Sequence, residues 1–244
     1  METVYELLAD LPASATLRAP PASLPAREVR ATSYKVGNYL RSRGVHRGSV
    51  VGVADDPDPK AVFAFLGATL LAAPVRFDPP HAFDGRAVVA PTATLDAYDL
   101  GPGGQRVGYG ERPENPADGH FEGGVWSENP AFPPVSFDGD VRALRDADGD
   151  GSSQAALLAR AGNVATTLDA ENVVAIRAPF THESTVVGVL GALRAGATVL
   201  LPDDGIDDKT DSADDTETDG AAVGDVAIVT DDVDSVPEGR VLSF

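Results

Sequence analysis

Apolar positions along this chain fall into two series that repeat the same order of elements. From Ala26 to Arg43 they recur near helical spacing through Val29, Tyr34, Val36, Tyr39 and Leu40, and Gly44 follows in a C-cap position. Val50 to Ala54 is a short valine-rich run, which predicts a buried strand. Asp55 to Pro59 then reads as a turn, Pro59 opens a helix running to Leu71, and Ala73 to Phe77 predicts the next strand. The order returns about half a chain later. Gln154 to Leu168 is helical behind Ser152 or Ser153 as N-cap, Val173 to Arg177 is a strand, His182 to Arg194 is a helix closed by Gly196, and Ala197 to Leu201 is a strand. Setting Leu66-Gly67-Ala68 on Leu190-Gly191-Ala192 brings Val75 onto Val199 without a gap. The shared small residues are expected to let each helix lie close on its sheet.

Helix, strand, helix, strand with short links is the pattern of a parallel sheet covered by crossover helices. The predicted fold class is therefore α/β: two pseudo-repeated layers of mostly parallel sheet flanked by helices. Residues 1–244 are expected to form one domain, with a first layer at about 26–90, a crossing segment at about 91–140 and a second layer at about 141–244. Before the first layer, Met1 to Asp10 predicts a short helix, and Pro20, Pro21 and Pro25 predict an extended connection. Between the copies, Pro and Gly are dense, with short strand candidates at Arg86 to Ala90 and Gln105 to Tyr109. Trp126 and Phe132 are expected to plug the junction there by simple packing. Asp203 to Gly220 is half acid, which predicts a solvated mobile loop, and Val226–Val229 and Arg240–Leu242 predict closing strands.

Charge changes the picture of partners. The 38 acids against 19 bases give a formal charge of −19, and only Lys35, Lys60 and Lys209 are lysine. An acidic, lysine-poor surface suits a cytoplasm with molar salt, where screening over a few ångströms quiets self-repulsion. The same field repels nucleic acid and anionic membranes, so neither is expected as a partner. Cysteine is absent, which excludes disulfides and thiolate metal sites. Arg194 interrupts the longest apolar run, and the acidic start METVYELLAD lacks the order of a signal peptide, so a cytoplasmic protein is expected.

The first copy, TSYKVGNYLRSRGVHRGSVVGVADDPDPKAVFAFLGATLLAAPVRFDP, resembles the opening of the adenylate-forming (AMP-binding) enzymes: acyl-CoA synthetases, peptide-synthetase adenylation domains and luciferases. Leu40, Gly44, Val45 and Gly48 match the family pattern, Ser49 replaces its aspartate, and Leu66, Gly67, Ala68 and Ala72 follow. Pro179, Phe180, Thr181 and His182, then LGALRAGATVLLPD, resemble the same family's next segment. The resemblance spans most of residues 26–203, roughly the first half of such an enzyme, and implies ATP, AMP or CoA as ligands. It also implies a phosphate loop after Asp140-Val141-Arg142-Ala143-Leu144.

That loop here reads RDADGDGSSQ. Gly149, Gly151, Ser152 and Ser153 offer amides and hydroxyls to a phosphate, but the family's lysine is missing. Asp146, Asp148 and Asp150 place negative charge where a triphosphate would sit. The family's Tyr-Gly-x-Thr-Glu motif does not follow the second copy, and Tyr109-Gly110-Glu111 falls before the phosphate loop and lacks the threonine. Acyl-adenylate chemistry is therefore not expected, and no catalytic residue is assigned.

The same aspartates with Gly151 match the first positions of an EF-hand loop, but Leu157 stands where its bidentate Glu belongs. A tight Asp/Gly turn explains the letters more simply, with weak cation binding the alternative. His182 falls at a strand-to-helix junction, where open α/β sheets collect ligands, and the resemblance places it at an acyl pocket; a plain helix-start residue is the alternative. Three functions remain open on sequence: a non-catalytic relative binding a small acyl- or nucleotide-type ligand or a protein partner, an enzyme with an altered loop or a lid from another chain, and a structural protein without ligand.

Overall fold

The structure is a computed structural model that describes residues 1–202, 222–229 and 236–242; the acidic stretch 203–220, expected to be a mobile loop, lies outside them. Thr3 opens the short helix α1 (Val4–Ala9) with a capping box: its hydroxyl accepts the Glu6 N–H while the Glu6 carboxylate reaches back. Next come the hairpin strands β1 (Thr16–Ala19) and β2 (Ala22–Pro25), followed by α2 (Ala26–Ser42), β3 (Val51–Val53), α3 (Pro59–Thr69) and β4 (Val75–Phe77). Asp58 caps α3, and Pro59 sits in its first turn as expected. The chain continues through β5 (Ala82–Phe83), β6 (Ala87–Pro91), a 3-10 turn, β7 (Asp99–Leu100), β8 (Gln105–Tyr109), β9 (Gly119–His120) and α4 (Phe121–Trp126). The second series is α5 (Gln154–Ala165), β10 (Val173–Ile176), α6 (Glu183–Ala195), β11 (Thr198–Leu200), β12 (Val226–Ile228) and β13 (Arg240–Leu242).

Two sheets carry the fold. One has the order β4-β3-β6-β8-β9 with every pairing parallel; the other has the order β13-β12-β10-β11-β1-β2, parallel except for β2. In each, the first strand of the series has the second on one side and the third and fourth on the other: β4-β3-β6-β8 against β11-β10-β12-β13. The repeat is thus four strands deep. The small β5–β7 pair stands apart.

Several details differ from the sequence reading. The segment after residue 90 is not only a crossing: β8 and β9 extend the first sheet, because short runs such as Gln105–Tyr109 pair once a parallel neighbour supplies their hydrogen bonds. The Pro-rich N-terminal stretch is a hairpin on the second sheet, with β1 parallel to β11 from Thr16–Thr198 to Arg18–Leu200. Trp126 plugs nothing. It is 83% exposed, with the Lys35 ammonium 5.2 Å from its ring centroid, whereas Phe132 does pack, against Tyr34.

The helices α3 and α6 are buried nearly all round, which fits their lack of a polar face. Gly67 and Gly191 serve helix–helix contact instead of the expected helix–sheet contact. A Cβ on Gly67 would stand 2.6 Å from Val36 on α2, and one on Gly191 would stand 2.7 Å from Val164 on α5. Gly188 is the residue that lets α6 onto its sheet, against Ile228. One continuous apolar core joins both layers.

A cleft between the layers

The site is assembled at the carboxyl ends of β3, β4 and β10, where parallel α/β sheets present their loops. Asp55, in the turn after β3, reaches across to the second layer. Its carboxylate accepts the Phe180 N–H (2.7 Å), the Thr181 N–H (3.0 Å) and the Thr181 hydroxyl (2.7 Å). The 179–182 turn is pinned from its own side as well, since the Thr185 hydroxyl donates to the Pro179 carbonyl at 2.7 Å. Phe77 at the end of β4 stacks on Phe180, centroids 5.3 Å apart. These contacts fix the walls of a cleft of about 490 Å³. Arg76, Asp78, Arg145, Asp146, Thr181 and Glu183 bring polar groups to it. Glu183 is also engaged by the Arg160 guanidinium.

The bend at 145–153 closes one side of the cleft, and its geometry is self-contained. Val75 N–H donates to the Ala143 carbonyl and Arg145 N–H to the Val75 carbonyl, so the chain before the bend lies along β4 of the first sheet. Asp146 Oδ1 accepts the backbone N–H groups of Asp148 (3.0 Å) and Asp150 (2.9 Å). Asp146 N–H donates to the Asp150 carbonyl, and Gly149 N–H to the Asp146 carbonyl. This is the Asp/Gly turn chemistry of the sequence reading.

The expected site residues separate. Gly151 and Asp146 line the cleft, while Gly149 faces a different hollow. The Ser153 hydroxyl accepts the Ala156 N–H as N-cap of α5, and the Ser152 carbonyl accepts the Ala143 and Leu144 amides. Asp148 is exposed, and Asp150 lies 3.8 Å from the Arg142 guanidinium. Among the described residues no group of three His, Cys, Asp or Glu is arranged to hold a metal. His182 is exposed at the start of α6, caps nothing with its ring and is outside the cleft lining. Asp55, Arg76, Asp78 and Arg145 were not singled out on sequence. The ADDPD turn signalled a loop at a strand's carboxyl end, but only the pairing over 125 residues shows Asp55 at work.

Neither a protein-family profile nor a curated protein sequence matches this chain. Solved structures do. An anthranilate CoA ligase in complex with anthranoyl-AMP superposes with a TM-score of 0.68 at 16% identity, over 82% of this chain and 44% of its own. A long-chain-fatty-acid-CoA ligase from Archaeoglobus fulgidus gives 0.64 at 14% identity, over 82% of this chain and 46% of its own. A benzoate CoA ligase from Burkholderia xenovorans gives 0.65 at 19%, over 81% and 44%. The fold is that of the N-terminal portion of an AMP-forming ligase. The chain spans less than half the length of these ligases.

The bend does not fit the triphosphate that this ligase fold implies. A phosphate cradle needs free backbone N–H groups, and those of Asp146, Asp148, Gly149 and Asp150 are spent inside the bend. Asp146 lines the cleft with its Oδ1 already accepting two bend amides, and a unit charge about 4 Å from its carboxylate would be repelled by roughly 4 kcal/mol at an effective dielectric of 20. What remains is a mixed cleft, with Arg76 and Arg145 against Asp78 and Asp146 over an aromatic floor.

Proposed function

We propose that this chain is a non-catalytic relative of the AMP-forming ligases and holds a small acyl- or nucleotide-type molecule in the interlayer cleft. One observation carries the reading: the walls of the cleft are kept by the Asp55 bridge, while the bend at the phosphate-loop position has turned its amides inward. A pocket that is held open but lacks a triphosphate cradle favours binding over adenylation. The Arg76 guanidinium supplies a counter-charge for a carboxylate or monophosphate, and the Phe77–Phe180 pair supplies a face for an apolar or aromatic group. The acidic, lysine-poor composition supports molar salt as the working medium.

Two measurements test this on the full chain in molar KCl. Carboxylate-dependent ATP–pyrophosphate exchange is expected to be absent, and robust exchange would overturn the non-catalytic reading. Melting temperature is expected to rise by a few degrees with AMP, CoA or a non-hydrolysable acyl-adenylate analogue, as mass action requires of any ligand that binds only the folded state. No shift with any of them would leave the fold without a small-molecule role.

A further inference from the structure

The opposite ends of β3 and β4 carry a second hollow, of about 370 Å³. It opens where β3 and β4 begin, between Val50 and Pro74, with Gly48 at its edge. Arg47, Arg142 and Arg145 line it, and no carboxylate does. That is unexpected in a chain whose formal charge is −19 with 19 basic residues in all. Two of the three guanidiniums have no acid to satisfy among the described residues. Arg47 and Arg145 form no side-chain hydrogen bond or ion pair among the described residues. Arg142 is partly engaged, donating to the Gly151 carbonyl at 3.3 Å and standing 3.8 Å from Asp150. The backbone beneath is fixed, not adaptable: the Gly48 N–H donates to the Ala72 carbonyl at 2.9 Å, which ties the β3 approach to the end of α3. Asp146 is not among the hollow's lining residues; it lines the interlayer cleft, and its Oδ1 is held by the bend's own amides.

Three like charges converging on one hollow repel each other at a cost that burial of an anion would reverse. Guanidinium forks match phosphate oxygens two at a time, and arginine keeps its charge at every physiological pH. We propose that this hollow is an anion site for a phosphoryl group, a phosphate monoester or diphosphate, separate from the interlayer cleft. Arg145 lines both cavities, so an anion held at the strand beginnings would also hold the bend that walls the cleft.

Inorganic phosphate and pyrophosphate are the probes, titrated calorimetrically into the full chain with ionic strength held constant by KCl. Saturable binding is expected, about tenfold weaker in Arg47→Gln and in Arg142→Gln, and unchanged in Arg112→Gln, an exposed arginine outside the hollow. All three substitutions are on exposed side chains, and an unchanged far-ultraviolet circular dichroism spectrum confirms the fold. Absence of saturation, or binding that Arg47→Gln and Arg142→Gln leave as in the wild type, would overturn the site. Equal weakening by Arg112→Gln would do the same, because it would mark a change in the overall field of a chain of formal charge −19 and not contact within the hollow.

Discussion

Gln154 shows how a single side chain joins parts that are remote in sequence. It is fully buried at the start of α5, its Oε1 accepting the Val4 N–H and its Nε2 donating to the Thr69 carbonyl, both at 2.8 Å. One amide therefore ties α1, the end of α3 and the start of α5. Replacing it leaves a donor and an acceptor stranded out of water, at about 1–3 kcal/mol each. Gln154→Ala is expected to lose about 3 kcal/mol in urea denaturation. A loss below about 0.5 kcal/mol would mean that water enters and satisfies both groups. Tyr109 is the other residue whose surroundings reshape its chemistry. Burial, and then its 2.6 Å hydrogen bond to the Asp56 carboxylate, push its phenol far above the ordinary value, so it stays protonated and donating.

The two copies of the helix-end motif differ at the left-handed position, a difference that can be tested element against element. α2 and α6 both end on a left-handed glycine, Gly44 at φ 81° and Gly196 at φ 79°. Val45 N–H bonds back to the Leu40 carbonyl and Ala197 N–H to the Ala192 carbonyl, in Schellman fashion. α3 ends in the same way, Ala73 N–H to the Ala68 carbonyl, but the left-handed position is Ala72 at φ 53°. A Cβ in that conformation costs about 1–2 kcal/mol, partly offset because glycine would gain more freedom in the unfolded chain. Ala72→Gly is therefore expected to stabilise by about 0.5 kcal/mol. Gly196→Ala should destabilise by about 2 kcal/mol, its new Cβ also standing 2.5 Å from the Ser14 hydroxyl. Thermal melts of the two variants side by side would expose the cap reading as wrong if both moved the same way.

At the scale of the molecule, the far edge of the second sheet is closed by a buried ion pair. Glu238 has no exposed side-chain surface; its Oε1 accepts Arg177 Nε (3.1 Å), Arg177 Nη2 (2.6 Å) and the Gly224 N–H (3.3 Å). Burial alone would raise its carboxyl, but the guanidinium and the amide hold it below its ordinary 4.5. A depressed folded value gives stability that is complete above about 4.5 and is lost as pH falls through the folded value. Glu238→Gln strands the Arg177 charge, an expected loss of about 3 kcal/mol near neutral pH. The gap from the wild type should narrow as pH falls below about 4.5, which denaturation curves across that range would show. A gap independent of pH would mean that the carboxylate's charge is not what is lost.

What the sequence determined by itself is local. Helix stripes, the proline at the start of α3, the glycine caps, the valine runs and the doubled order of elements each sit within a window of some twenty residues, where periodicity and backbone preference act. The Asp/Gly turn at 146–151 was legible for the same reason: its hydrogen bonds are made within itself. Tertiary structure decided the rest. Whether Gln105–Tyr109 joined a sheet depended on β6 offering a parallel neighbour, and where β1 went depended on β11, about 180 residues further on. α3 and α6 are apolar nearly all round between their polar ends, so their pattern announced burial without saying against which surface. The cleft itself exists because Asp55 meets Phe180 and Thr181 across 125 residues of chain, and a carboxylate's choice among distant amides leaves no period for a sequence to display.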